Sequence, residues 1–154
     1  MKGFYLRYTA LGLLIPFLAF ASEPEKREDV SYEFKGIHFL ASYSNCDPQA
    51  LSNHEKLQQV MREAVERSGA TILETLSHLF PPNGITMVFL LSESHGSIHT
   101  YPEHGACFVD LFTCGSKCSY TKFDETLRNY LKPQKVSAQA FVRGEINQEV
   151  CRSQ

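Results

Sequence analysis

An α+β sandwich, with two helices on one face of a mostly antiparallel sheet, is the fold class this sequence predicts. Three observations lead there. Five short segments carry the alternating or continuous apolar pattern of strands. Two others repeat apolar residues at helical spacing. Between two of the strands, Pro81-Pro82-Asn83-Gly84 is a strong turn, which makes its neighbours an antiparallel pair.

The elements follow in order. Residues 33–43 alternate and are rich in aromatic and aliphatic side chains, as a strand requires, and Asp47-Pro48 breaks it. Ser52 with Glu55 three residues on reads as a capping box, each side chain satisfying a free amide at a helix start. The helix then sets Leu57, Val60, Met61, Ala64 and Val65 on one face, and Gly69 ends it. Residues 71–80 form a second strand, 85–91 a third that is largely apolar, and 106–112 a fourth. Phe123, Leu127, Tyr130 and Leu131 mark a shorter helix, and 136–142 closes the domain as a strand, giving β-α-β-β-β-α-β. Helices on one face leave the other face or the edges uncovered, so a dimerising sandwich is expected.

With 154 residues the chain suits one domain with a core of ordinary size. Hydrophobic residues at 43% and charged residues at 21% are those of a globular protein, and a net charge of −2 gives no electrostatic footprint for nucleic acid. A small molecule or another protein is the expected partner. Lys2 and Arg7 precede an uncharged run over 8–21 that closes with Ala19-Phe20-Ala21, the order of features in a secretory signal. The run is shorter than the ~20 residues that span a bilayer. The expected organisation is therefore a signal-like segment 1–21, a mobile linker 22–32 and a domain 33–154. Five cysteines, at 46, 107, 114, 118 and 151, cannot all pair within one chain, so at least one thiol is free or bonded to another chain.

Chemistry concentrates between the third and fourth strands. There Ser92, Ser94 and Ser97 crowd with His95, His99, His104, Glu93 and Glu103, and Cys114 follows the next strand. The residues alone leave three readings open. His95, His99, Cys114 and Cys118 are zinc-ligand types, although Gly96 and Pro102 oppose a helix that would present the two histidines one turn apart. Cys114 with His99 is a sensible nucleophile pair. A polar loop whose histidines only cap strands is the third.

The string Glu93-Ser94-His95-Gly96-Ser97-Ile98-His99-Thr100, continuing through Tyr101-Pro102-Glu103 to Phe112-Thr113-Cys114-Gly115, resembles the processing core of the small prokaryotic S-adenosylmethionine decarboxylases. Gly36-Ile37-His38, Cys46-Asp47, Ser68-Gly69-Ala70-Thr71 and His78-Leu79-Phe80 extend the likeness over roughly 36–144. It implies a proenzyme that cuts itself between Glu93 and Ser94 and turns Ser94 into a covalent pyruvoyl cofactor. That group forms a Schiff base with the substrate amine and serves as electron sink. By the same likeness His99 is the base for processing, Thr86 (commonly Ser in the family) supports it, and Cys114 is the proton donor in turnover. Phe80 would stack on adenine and Glu103 would hold the ribose. The product, decarboxylated S-adenosylmethionine, would feed spermidine and other polyamine synthesis, and the assembly would be a homodimer of cleaved protomers without metal.

Two departures stand out. Gly96 and Ser77 replace bulkier family residues near the expected pocket, which leaves arginine or ornithine as alternative substrates. Export would remove the enzyme from the cytosolic substrate that the family role requires. A relative that binds a nucleoside without catalysis is the non-enzymatic alternative.

Overall fold

The structure, a computed structural model, describes residues 34–114 and 117–144. The signal-like segment 1–21, the linker 22–32, Gly115 and Cys151 lie outside the described residues. Among those described, no helix is long and apolar enough to cross a membrane.

Six strands form one antiparallel sheet: β1 (Lys35–Ser44), β2 (Ile72–Phe80), β3 (Gly84–Leu91), β4 (Ser94–Tyr101), β5 (Ala106–Thr113) and β6 (Lys135–Gly144). Their order across the sheet is β2-β3-β4-β5-β1-β6. The helices are α1 (Pro48–Ser52), α2 (His54–Ser68) and α3 (Tyr120–Leu131). The predicted class is thus observed, with one strand and one short helix added. The added strand is the reactive stretch itself: β4 and a 3₁₀ turn over Pro102–His104 occupy what reads as a polar loop.

Local chemistry explains the helix starts. Asp47 accepts from the Gln49 amide at 2.9 Å with Pro48 in the first turn, so α1 begins there. This short helix captures Ser52, whose hydroxyl donates to the Pro48 carbonyl at 2.9 Å. The capping box expected at Ser52 therefore does not form. Asn53 caps α2 in its place, accepting from the Lys56 amide at 3.1 Å. Gly69 ends α2 in the left-handed region at φ 93°.

The core lies between the sheet and the α2–α3 layer. Leu57, Met61 and Val65 of α2 and Phe123, Leu127 and Leu131 of α3 are fully buried against Met87, Phe89, Ile98 and Leu111. Each such side chain contributes ~1.5–3 kcal/mol on burial. Tyr43 donates to Asp124, which also pairs with Arg128 at 2.7 Å, and this tie fixes α3 on β1. The opposite face carries no helix, and there Leu40, Val88, Leu90 and Phe108 remain 40–52% exposed.

Gly69 offers a test of this framework. A Cβ there would lie 3.0 Å from the Lys117 carbonyl oxygen, and the positive φ strains any L-residue. Gly69→Ala is expected to lower stability by ~1–2 kcal/mol, read from the urea midpoint.

Candidate active site

The pleat of β4 sorts its side chains. Gly96, Ile98 and Thr100 are buried toward the helices, while His95, Ser97 and His99 point to the helix-free face. A Cβ on Gly96 would meet Leu111 Cδ1 at 3.3 Å and Val65 Cγ2 at 3.9 Å, both core atoms. Ser77 pairs with Met87, a core-side residue. Neither position lines the helix-free face, contrary to the expectation that both border the pocket; the alternation of strand residues sends them to the other side.

Two clusters lie at opposite ends of β4. At the first end, the Glu93 carbonyl accepts from the Cys114 amide at 2.9 Å, and its carboxylate accepts from the Thr71 amide at 2.8 Å. Ser94 follows with φ 151°, a conformation that side-chain-bearing residues rarely adopt and that stores strain at the 93–94 junction. Its hydroxyl lies 3.0 Å from His95 Nδ1. A cavity of about 660 Å³ opens beside Ser94, bounded by Gly36, Glu93, Phe112, Cys114 and Arg143.

At the second end, Thr86 Oγ1 hydrogen-bonds His99 Nδ1. Phe80 and Tyr101 pack edge-on to the His99 ring, with centroids 5.6 and 4.5 Å away. Glu103 follows on the 3₁₀ turn and is exposed.

The structure thus brings Glu93, Ser94 and Cys114 together, and separately Phe80, Thr86 and His99. It does not join the two sets within one chain. Ser94 pairs with Thr113, whereas His99 pairs with Phe108, and five extended residues span roughly 16 Å. A direct Cys114–His99 pair is excluded for the same reason. So is the zinc set of His95, His99, Cys114 and Cys118, because its two histidines sit four strand residues apart.

Reading the sequence misses the roles of three titratable or charged groups near Ser94, which are His38, Asp110 and Arg143. His38 Nε2 and His95 Nε2 lie 3.9 and 3.8 Å from Asp110 Oδ1, and Ser97 donates to Asp110 Oδ2. Arg143 stacks on Phe112 with its guanidinium carbon 4.4 Å from the centroid and donates to His38 Nδ1 at 3.4 Å. The signal available was a histidine and an aspartate placed inside otherwise apolar strands. His38, His95 and Asp110 are close enough to share a cation. With Arg143 donating to Nδ1, however, the His38 proton sits on Nε2, where a metal would need a lone pair.

Two other thiols among the described residues are held protonated by their surroundings. Cys107 is buried against Cys46, and both that contact and burial push its thiol far up. Burial, with Glu93 nearby, also raises Cys118.

Comparison with known proteins adds the family context. The family model described as S-adenosylmethionine decarboxylase matches residues 37–144. The S-adenosylmethionine decarboxylase proenzyme of Thermosipho africanus is 40% identical over 113 residues, 73% of this chain and 87% of that protein. The proenzyme of Thermotoga petrophila is 40% identical over 109 residues, covering 71% and 84%. Among solved structures, the adenosylmethionine decarboxylase of Aquifex aeolicus superposes with a TM-score of 0.68 at 31% identity, covering 75% of this chain and 96% of that one.

One consequence of the site concerns pH. Burial lowers the pKa of His38, an effect that Asp110 opposes and Arg143 reinforces. The unfolded chain therefore binds a proton there at higher pH than the fold does. Stability is expected to fall as pH drops below the unfolded imidazole value of ~6.5. Urea unfolding at pH 7 and pH 5 should show a smaller loss in His38→Gln than in the parent.

Proposed function

The chain belongs to the S-adenosylmethionine decarboxylase family, and from that premise we propose that it cuts itself between Glu93 and Ser94 and then decarboxylates S-adenosylmethionine, supplying decarboxylated S-adenosylmethionine for spermidine and other polyamine synthesis. The observation that carries this reading is the junction itself: a strained Ser94 whose preceding carbonyl is already held by the Cys114 amide at 2.9 Å.

Cleavage begins when the Ser94 hydroxyl attacks the Glu93 carbonyl carbon. Charge develops on the carbonyl oxygen, where the Cys114 N–H is preorganised to receive it. Relief of the strain at Ser94 favours the rearrangement to an ester. Elimination of that ester requires a base for the Ser94 α-proton. His99 suits the task, because the Thr86 hydroxyl can accept from Nδ1–H and so leave the Nε2 lone pair free for the α-proton.

His99 is too far from the Ser94 of its own chain, so the partner's His99 must serve. Two-fold packing of helix-free faces would bring the His99 end of one protomer against the Ser94 end of the other. It would also cover Leu40, Val88, Leu90 and Phe108, whose exposure otherwise lacks a reason.

The pyruvoyl group formed at position 94 supplies an electron sink for loss of the substrate carboxylate. The cavity beside Ser94 has room for it, and the Cys114 thiol on the cavity wall can return a proton to the substrate carbon. Phe80 offers an exposed ring for adenine and Glu103 an exposed carboxylate for ribose hydroxyls. Gly96 and Ser77, the departures that raised arginine or ornithine, face the helix side, so neither argues for a changed substrate.

On a denaturing gel the parent should run as two fragments and Ser94→Ala as one. Cys114→Ala should still process, yet release carbon dioxide from S-adenosylmethionine ~10²–10⁴-fold more slowly. Parallel assays with arginine and ornithine should show no release. A processed Cys114→Ala enzyme that works at the parent rate would remove the thiol from the mechanism.

Sharing of the site between protomers predicts complementation. Ser94→Ala and His99→Ala should each stay uncleaved alone. Mixed by co-refolding, the His99→Ala chain should be cut, because its partner provides His99. Absence of cleavage in a mixture shown by mass to contain heterodimers would place both groups in one chain.

A further inference from the structure

Self-cleavage as proposed above leaves one proton without an acceptor, that of the attacking Ser94 hydroxyl. His99 cannot serve, since its task is the later α-proton and its hydrogen-bonded nitrogen faces Thr86. Resting on that processing reading, we propose that His95 is the general base for Ser94, with Asp110 as its positioning residue.

Three contacts support the assignment. The Ser94 hydroxyl lies 3.0 Å from His95 Nδ1, within reach for direct transfer. The other ring nitrogen, Nε2, faces Asp110 Oδ1 at 3.8 Å. A carboxylate on that side favours the tautomer with its proton on Nε2, which leaves the Nδ1 lone pair toward Ser94. At 3.8 Å this is an electrostatic contact rather than a hydrogen bond, and such contacts commonly tighten along the reaction. Asp110 is itself oriented, since Ser97 donates to Oδ2, and His38 presents Nε2 to Oδ1 at 3.9 Å. His38 Nε2 is buried without any other partner, so it is committed to the same carboxylate.

The step balances without water or a co-reactant. The Ser94 O–H bond breaks and its proton passes to His95 Nδ1 as Oγ bonds to the Glu93 carbonyl carbon. The tetrahedral centre then collapses, the C–N bond of the 93–94 peptide breaks, and the proton returns from Nδ1 to the Ser94 nitrogen. Ester and free amine result, and His95 is neutral again. His95 thus acts before the ester and His99 after it, and the two imidazoles divide the reaction in time.

The test uses this order. His99→Ala should accumulate an ester that hydroxylamine cuts after Glu93. His95→Ala/His99→Ala should form that ester at least ~10²-fold more slowly and stay whole in hydroxylamine. Ester formation at the His99→Ala rate would overturn the proposal. If His99→Ala itself yields no labile bond, the underlying processing reading fails instead.

A melting curve shows whether the double variant folds. Should it not, Asp110→Asn/His99→Ala decides through the rate of ester formation. Loss of the carboxylate should slow it at least ~10-fold, and Asp110→Glu/His99→Ala, which restores a carboxylate, should recover part of that rate. An unchanged rate in Asp110→Asn/His99→Ala, or no recovery with Glu, would reduce Asp110 to a structural residue and overturn its part.

Discussion

Everything in this molecule depends on the pleat of one central strand. β4 lies between β3 and β5, so its backbone amides and carbonyls are tied on both sides and its register admits no slip. Its alternation delivers Gly96, Ile98 and Thr100 to the core and His95, Ser97 and His99 to the open face. A shift of one residue would bury three polar side chains and expose the core contacts of Ile98. The reactive groups therefore hold their positions because hydrophobic packing on the far side of the sheet fixes them, as rigid functional sites require.

The same rigidity separates the two clusters. A loop could fold back to join Ser94 with His99, but an extended strand cannot. Each end has its own anchoring. Glu93 is held through its carbonyl by Cys114 and through its carboxylate by Thr71, whereas His99 is held by Thr86 and the ring of Phe80. Strain at Ser94 survives because these bonds on its neighbours over-determine the backbone there.

Much of this was legible in the residues. The apolar face of α2, its glycine stop and the turn before β3 each come from strong local signals, and the observed ends fall within a residue or two. The Ser52 start was off by one, because Asn53 caps as well as Ser52 and tertiary context chose between them. β4 was not legible as a strand. Its outward residues are histidines and a serine, and Gly96 on the inward side has no side chain to complete an apolar alternation. Its identity comes from pairing on both edges, which no local pattern encodes. The site residues were visible as a motif, yet their division into two ends followed only from the strand, and Asp110 became visible only when β5 was laid beside β4.

The strand order has a further consequence for the proposed processing. Cleavage after Glu93 would leave β1, β2 and β3 on one piece and β4, β5 and β6 on the other. Across the sheet these alternate, with the first piece supplying β2-β3, the second β4-β5, then β1 from the first and β6 from the second. The two polypeptides would then be interlaced rather than docked. Three of the five strand seams, β3–β4, β5–β1 and β1–β6, would have to open before either could leave. No covalent bond among the described residues needs to hold them together. A chain processed in this way would have to reach its full topology while still continuous, and once cut and denatured it would have to rebuild as a two-body association what it first built as one thread.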